Sequence, residues 1–169
     1  MLHYVLITNW TNICLDGEQQ KETIGIVLDA DTSVASRWET IKHKLQNYEY
    51  IIPDAPNIGG TILNHLSLPK LGIWLMPNNI DVGMLEDFCL LLVEEDKIAV
   101  ADECIKIAMK KNATSFKKVH YAKALIHTYL AWQDEPGKPI GQAITAKILE
   151  PSYPISLEFK KWLIELFGS

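Results

Sequence analysis

Three carboxylates are the residues of this chain whose types and spacing best fit a chemical role. Asp29 and Asp31 close an apolar run over residues 23–28, and Glu86 follows a second apolar run over residues 71–76 after a loop rich in turn residues. Each run is typical of a buried strand, and open α/β sheets hold their sites at the carboxyl ends of such strands. Carboxylate oxygens at those ends predict ligands for a hard cation such as Mg²⁺.

Each carboxylate also has a purely structural interpretation. Residues i and i+2 of an extended segment share one face, so Asp29 and Asp31 are expected to point the same way, an arrangement that needs a cation or donors to offset the repulsion. Alternatively, Asp31 or Thr32 caps the next helix, for which Ser33 also offers an N-cap, while Asp29 is solvated. Glu86, taken alone, is more simply a first-turn acid that interacts favourably with the helix dipole.

A cationic group lies further along the chain, at His120, Lys123 and His127. Steps of three and four residues put these side chains along one side of a helix. The face is suited to meet a phosphate or the acidic cluster, although a run of charges is more often a solvated helix face.

Length and composition predict one globular domain. The chain has 169 residues, is 48% hydrophobic and carries a formal net charge of −5. An acidic chain is not a general nucleic-acid binder, but a bound cation would admit phosphates locally. No run approaches the roughly 18 apolar residues that cross a bilayer, and no signal peptide is evident. We therefore expect a soluble, cytoplasmic protein without a membrane partner.

Hydrophobic periodicity predicts the elements that position these residues. Strands are predicted at residues 23–28 and 71–76, with the amphipathic helix Val34–Leu45 between them; weaker strand signals fall at residues 2–8 and Thr61–Leu63. Helices are predicted at residues 84–93, 101–110, 116–132, 140–148 and 157–167. The layout is a single domain, 1–169, with an α/β core over 1–98 and a helical portion over 99–169.

Several apolar side chains are predicted to be core. Cys89 and Cys104 lie in apolar helical patterns and are expected to be small buried residues. Core is also the expected place for four tryptophans, which are Trp38, Trp74, Trp132 and Trp162.

Four motifs taken together resemble a bacterial family of uncharacterised proteins related to the Toprim fold of topoisomerases, primases and overcoming-lysogenization-defect nucleases. The motifs are Asp29-Ala-Asp31, Pro77-Asn-Asn79, Leu85-Glu-Asp87 and His120-x-x-Lys123-Ala. The resemblance implies a Toprim-like α/β fold with a small, mainly parallel sheet flanked by helices. It also implies Mg²⁺ or Mn²⁺ held by Asp29, Asp31 and Glu86 for nuclease-like phosphodiester chemistry. Glu86 and Lys123 would then be catalytic, with nucleic acid or a nucleotide at the metal.

One departure from that family pattern leaves the activity open. Toprim proteins carry a glutamate after their first strand, but no strand-Glu-Gly pattern lies among the 28 residues before Asp29. Glu18 lies in a polar loop and Glu22 opens the Asp strand, so neither replaces it. The alternative is a non-catalytic binding or self-assembling domain with a degenerate metal site. Such a domain would form a homodimer or take the missing strand from a partner chain, because exposed sheet edges tend to pair.

Overall fold

The computed structural model describes residues 4–7 and 23–168, the first of these ranges by its backbone only. The described residues contain four strands: β1 (Tyr4–Ile7), β2 (Thr23–Asp29), β3 (Thr61–Leu63) and β4 (Lys70–Met76). The α-helices of the described residues are α1 (Val34–Leu45), α2 (Leu85–Leu90), α3 (Glu95–Lys110), α4 (Tyr121–Leu130), α5 (Ile140–Thr145) and α6 (Pro154–Phe167). A short 3₁₀ turn, Lys118–His120, leads into α4.

The strands form one sheet in the order β1-β2-β4-β3. The β1–β2 and β2–β4 pairings are parallel and the β4–β3 pairing is antiparallel. The α/β class and the flanking helices are therefore as predicted. A strand of the same chain does lie beside β2, over Thr23–Ile26, so β2 does not need the partner strand that was one alternative for a non-catalytic domain. The chain's own residues 4–7 fill the position.

Helices cover both faces of β2 and β4, which explains why their sequences are apolar almost throughout. On one face, Ile24 and Ile26 pack with Trp38, Ile41 and Leu45 of α1. On the other face, Trp74 contacts Trp162 of α6, with ring centroids 5.7 Å apart.

Local signals start α1 where the sequence places it. Ser33 has extended backbone angles, and its Oγ accepts a hydrogen bond from the Ser36 N–H at 3.1 Å. This satisfies one of the amide donors that the first turn of a helix leaves free. The N-cap is therefore Ser33, not Asp31 or Thr32, so the capping interpretation of Asp31 is wrong.

The chain packs as two compact units. The first comprises residues up to Met84 together with those from Glu158 onward, and the second comprises Leu85–Leu157. Most of α6 is thus grouped with the sheet in the first unit.

Within the second unit, α3 and α4 pack against each other in an antiparallel arrangement. The Tyr121 hydroxyl, at the start of α4, donates to Asp102 in the middle of α3 at 2.5 Å. Near the end of α4, Tyr129 is close enough to Lys97, at the start of α3, for the lysine charge to act on the pKa of Tyr129. Buried Ala101 and Ile105 of α3 face this interior.

Two of the core predictions were wrong. Trp38, Trp74 and Trp162 are fully buried, but the side chain of Trp132 is 49% exposed because α4 ends at Leu130. Cys89 is buried, whereas Cys104 is exposed. None of the helices in the described part of the chain combines the length and apolar content needed to cross a bilayer.

Candidate functional site

The carboxyl ends of β2 and β4 lie side by side, because the strands run parallel with Asp29 opposite Met76. The Ala30 N–H donates to the Met76 carbonyl at 3.1 Å, which continues the pairing beyond β2. One residue further, Asp31 and Gly83 form an antiparallel bridge in which each N–H donates to the other's carbonyl at 2.9 Å. The segment after β4 therefore folds back onto the end of β2 and fixes the backbone of Asp31.

Side chains of that returning segment close it as a compact loop. The Asn78 side-chain amide donates to Asp81 Oδ2 at 2.8 Å, and Asn78 Oδ1 accepts the Asp81 N–H at 2.8 Å. Buried Asn79 accepts the Leu75 N–H at 2.7 Å through Oδ1. Asp81 therefore closes the loop.

Asp31 projects towards α1. Its φ of 54° lies in the left-handed region, which aspartate tolerates better than most residues. One carboxylate oxygen forms an ion pair with the guanidinium of Arg37, and the two side chains are 49% and 32% exposed. An ion pair this open to water contributes only about 0–1 kcal/mol. Little free energy is therefore needed for a cation to replace Arg37 at Asp31, or for an anion to replace Asp31 at Arg37.

A polar cavity of about 230 Å³ opens beside this ion pair. Its lining combines the end of β2 with the first two turns of α1: Ala30, Asp31, Thr32, Ser33, Ser36, Arg37 and Thr40. The cavity is thus lined by one guanidinium and four hydroxyl-bearing residues, next to a carboxylate. The positive end of the α1 dipole also points to it. Such a lining suits an oxygen-rich anion, since guanidinium groups pair with phosphate in a bidentate way and helix N-termini favour negative charge.

Asp29 lies one residue before the cavity lining and is half-buried. Asp29 lies on the same face of β2 as Gly25. Gly25 is in register with Gly72 of β4, and Gly72 faces Leu166 of α6. The expectation that Asp29 and Asp31 share a face assumed an extended backbone at both residues. The backbone leaves that conformation at Asp31, so strand alternation does not fix the relative direction of the two carboxylates.

Glu86 and Lys123 lie in the second unit, at α2 and α4. Glu86 is only 14% exposed, and its carboxylate pairs with the Lys123 ammonium at 3.5 Å. The structure therefore brings together the two residues that the sequence assigned to catalysis. One turn along α2, burial raises the pKa of the Cys89 thiol to about 12, with a smaller contribution from the Glu86 charge.

Metal ions differ in how many protein ligands they need. Among the described residues, no three histidine, cysteine or acidic side chains form a group that would hold a metal ion. A closed zinc-type site needs about four such ligands. Magnesium, in contrast, commonly keeps several waters and takes one or two carboxylates together with substrate phosphate. Asp31, which lines the polar cavity, offers one carboxylate of the type that this second kind of site uses.

Arg37 is the site residue that sequence reasoning missed. It is the only arginine of the chain, and it lies six residues after Asp31 on the face of α1 that borders the strand end. Its uniqueness and its position just inside a helix that follows Asp-x-Asp were the available signals. Helical periodicity, however, describes Arg37 only as a polar position.

Comparison with known proteins identifies a family whose function is unknown. A family model described as a protein of unknown function, DUF3226, matches residues 6–168. The chain belongs to this family. No curated protein matches the chain, and no solved structure matches it. The match covers residues of both units of the DUF3226 chain.

Proposed function

We propose that this DUF3226 protein is a Toprim-related domain that binds Mg²⁺ or Mn²⁺ at Asp29 and Asp31 and acts on a phosphodiester. The observation that carries the proposal is the polar cavity beside Asp31, where a carboxylate, a guanidinium and hydroxyl-bearing residues meet at the carboxyl end of a parallel strand. Open α/β sheets place their ligands at such ends. The parallel pairings of β1, β2 and β4 support the relation to Toprim domains.

The chain's own residues have distinct roles in this proposal. Asp29 and Asp31 supply oxygen ligands, and a bound cation would activate water and offset charge on the leaving oxygen. When Asp31 turns to the cation, Arg37 loses its carboxylate partner and becomes available to a phosphate in the cavity. Arg37 would thus hold and orient the phosphate, which lowers the entropic cost of bringing the reacting groups together.

Glu86 and Lys123 enter as a separate part of the proposal. By the resemblance to Toprim proteins, Glu86 is a candidate metal ligand and general base, and Lys123 is the candidate basic group. Their mutual ion pair keeps the Glu86 carboxylate compensated until a cation competes for it. A Lys123→Ala variant is expected to leave Glu86 without its countercharge and to strengthen cation binding if Glu86 is a ligand.

A second function is supported by two features of the same region. Asp31 is already neutralised by Arg37, and the residues that follow β1 are Thr8 and Asn9 rather than a glutamate. Both are consistent with a non-catalytic domain whose metal site has degenerated. In that case Asp31 serves only to anchor α1, and the phosphodiester chemistry is absent.

Calorimetric titration with Mn²⁺ separates the two functions. The wild type is compared with Asp29→Asn/Asp31→Asn and with a matched control, Asp54→Asn/Asp134→Asn, which removes two exposed carboxylates elsewhere. We expect saturable binding in the wild type and the control and none in the first variant. Equal binding by all three proteins, or no binding by the wild type, would remove the catalytic proposal. The second outcome would favour the degenerate site.

A further inference from the structure

Basic residues are concentrated in one stretch of this acidic chain. Residues 104–133 contain six lysines and two histidines but no aspartate or glutamate, although the whole chain has 21 acidic residues and a net charge of −5. The stretch runs from the second half of α3 through α4, and all of it belongs to the second unit. A single compact body therefore carries a strong local excess of positive charge.

Four of these lysines flank the connection between α3 and the 3₁₀ turn that leads into α4. Lys110 and Lys111 lie where α3 ends, and Lys117 and Lys118 lie where the 3₁₀ turn leading into α4 begins. All four are exposed. We call them the lysine end. Lys106 and Lys123 are paired with Asp102 and Glu86, whereas the ion pairs found among the described residues include none of the four.

Local structure accounts for only half of the lysine end. Cations at the C-terminus of α3 are favoured by the helix dipole, which explains Lys110 and Lys111. Lys117 and Lys118 precede α4, where the dipole is positive and favours acids instead, and the first turn of α4 contains no acid. The helix dipole therefore does not account for these two cations.

We propose that the lysine end binds the phosphate backbone of a nucleic acid. A polyanion gains from every lysine that it meets, because each neutralised phosphate releases a condensed counterion. The inference names the partner of the proposed phosphodiester chemistry and rests on that function. A membrane surface is the less suitable partner, because anionic membranes are bound by lysines on an amphipathic helix. The lysine end instead consists of two helix ends and an irregular connection.

The test measures binding of fluorescein-labelled oligonucleotides, single-stranded and duplex, by anisotropy in EDTA. The variant Lys111→Gln/Lys117→Gln/Lys118→Gln is compared with the wild type and with Lys147→Gln/Lys160→Gln/Lys161→Gln. This control loses the same charge at three exposed lysines elsewhere. Between about 50 and 200 mM salt, the slope of log K against log salt should fall in magnitude by roughly 2 for single strands and 3 for duplexes in the first variant. The control should keep the wild-type slope.

Three results would overturn the proposal. They are no binding by the wild type at the lower salt concentration, equal weakening in the two triple variants, and tighter lysine-dependent binding to vesicles rich in phosphatidylserine than to either oligonucleotide. EDTA removes the metal from the measurement. Failure of Mn²⁺ binding at Asp29 and Asp31 is therefore distinguishable from failure at the lysine end.

Discussion

Substituting Gly72 tests how α6 is held against the sheet. Gly72 is a buried residue in the middle of β4, and a Cβ at this position would lie 2.8 Å from Leu166 Cδ1 and 3.0 Å from Leu166 Cγ. Leu166 is 1% exposed, so its side chain has no solvent-filled space into which to move. The Gly72→Ala variant therefore forces either an unfavourable leucine rotamer or a shift of α6 away from β4.

The magnitude follows from two opposing terms. Overpacking a well-filled core costs about 1–3 kcal/mol, while alanine is favoured over glycine in a strand by about 0.5–1 kcal/mol. We expect Gly72→Ala to lower the free energy of unfolding by about 1–2 kcal/mol. For a chain of this length each kcal/mol corresponds to roughly 2–4 °C in Tm, so the expected decrease is about 2–8 °C.

Urea unfolding followed by tryptophan fluorescence measures the effect, since Trp74 and Trp162 are buried where α6 meets β4. Gly59→Ala is the matched control, because a Cβ there meets nothing within 4 Å. Its free energy of unfolding should stay within about 0.5 kcal/mol of the wild type.

A double-mutant cycle identifies the cause of the destabilisation. Leu166→Ala alone should cost about 2–5 kcal/mol through the cavity that it leaves. In that background Gly72→Ala should cost nothing, because the side chain that it would meet is gone. A cost that persists in the Leu166→Ala background, or a Gly72→Ala variant as stable as Gly59→Ala, would refute the packing of Leu166 on Gly72.

Two further predictions concern titratable groups in the second unit. The hydrogen bond to Asp102 raises the pKa of Tyr121 to about 12. The stability that this bond contributes is therefore fully present below the unfolded tyrosine pKa of about 10. It is lost as the pH rises through about 12. The stability difference between the wild type and Tyr121→Phe should therefore shrink over that window in urea titrations, and a constant difference would contradict the assignment. In a Cys14→Ser background, Ellman's reagent should modify the exposed Cys104 quickly and Cys89 only on unfolding, because burial raises the Cys89 pKa to about 12 and the thiolate is the reactive form. Fast reaction that survives Cys104→Ser would show that Cys89 is accessible.

The elements of this fold were readable because their signals are local. Helix α1 begins and ends where its apolar stripe of Trp38, Ile41 and Leu45 predicts, and Ser33 is its cap. Both buried strands were found from continuous apolar runs, and β3 from a three-residue signal. Hydrophobic period and capping depend on neighbours within about one turn, so they can be read from sequence.

The candidate site was only partly readable. The sequence identified Asp29 and Asp31 as strand-end acids, and the structure puts Asp31 beside a polar cavity. Strand alternation did not apply to this pair, because a positive φ at Asp31 ends the extended conformation. The partnership of Asp31 with Arg37 was missed, since it depends on how α1 lies across the end of β2.

The sequence by itself determined the order and approximate positions of the strands and helices. It also determined the acidic strand ends, the absence of a glutamate after β1 and the concentration of lysines between residues 104 and 133. Only the tertiary structure decided that α6 packs on the sheet, that Arg37 neutralises Asp31, that Glu86 pairs with Lys123, and that Trp132 and Cys104 are exposed. The physical reason is the range of the interactions. Periodicity and charge runs are properties of a segment, whereas ion pairs and burial depend on which distant segments the fold brings into contact.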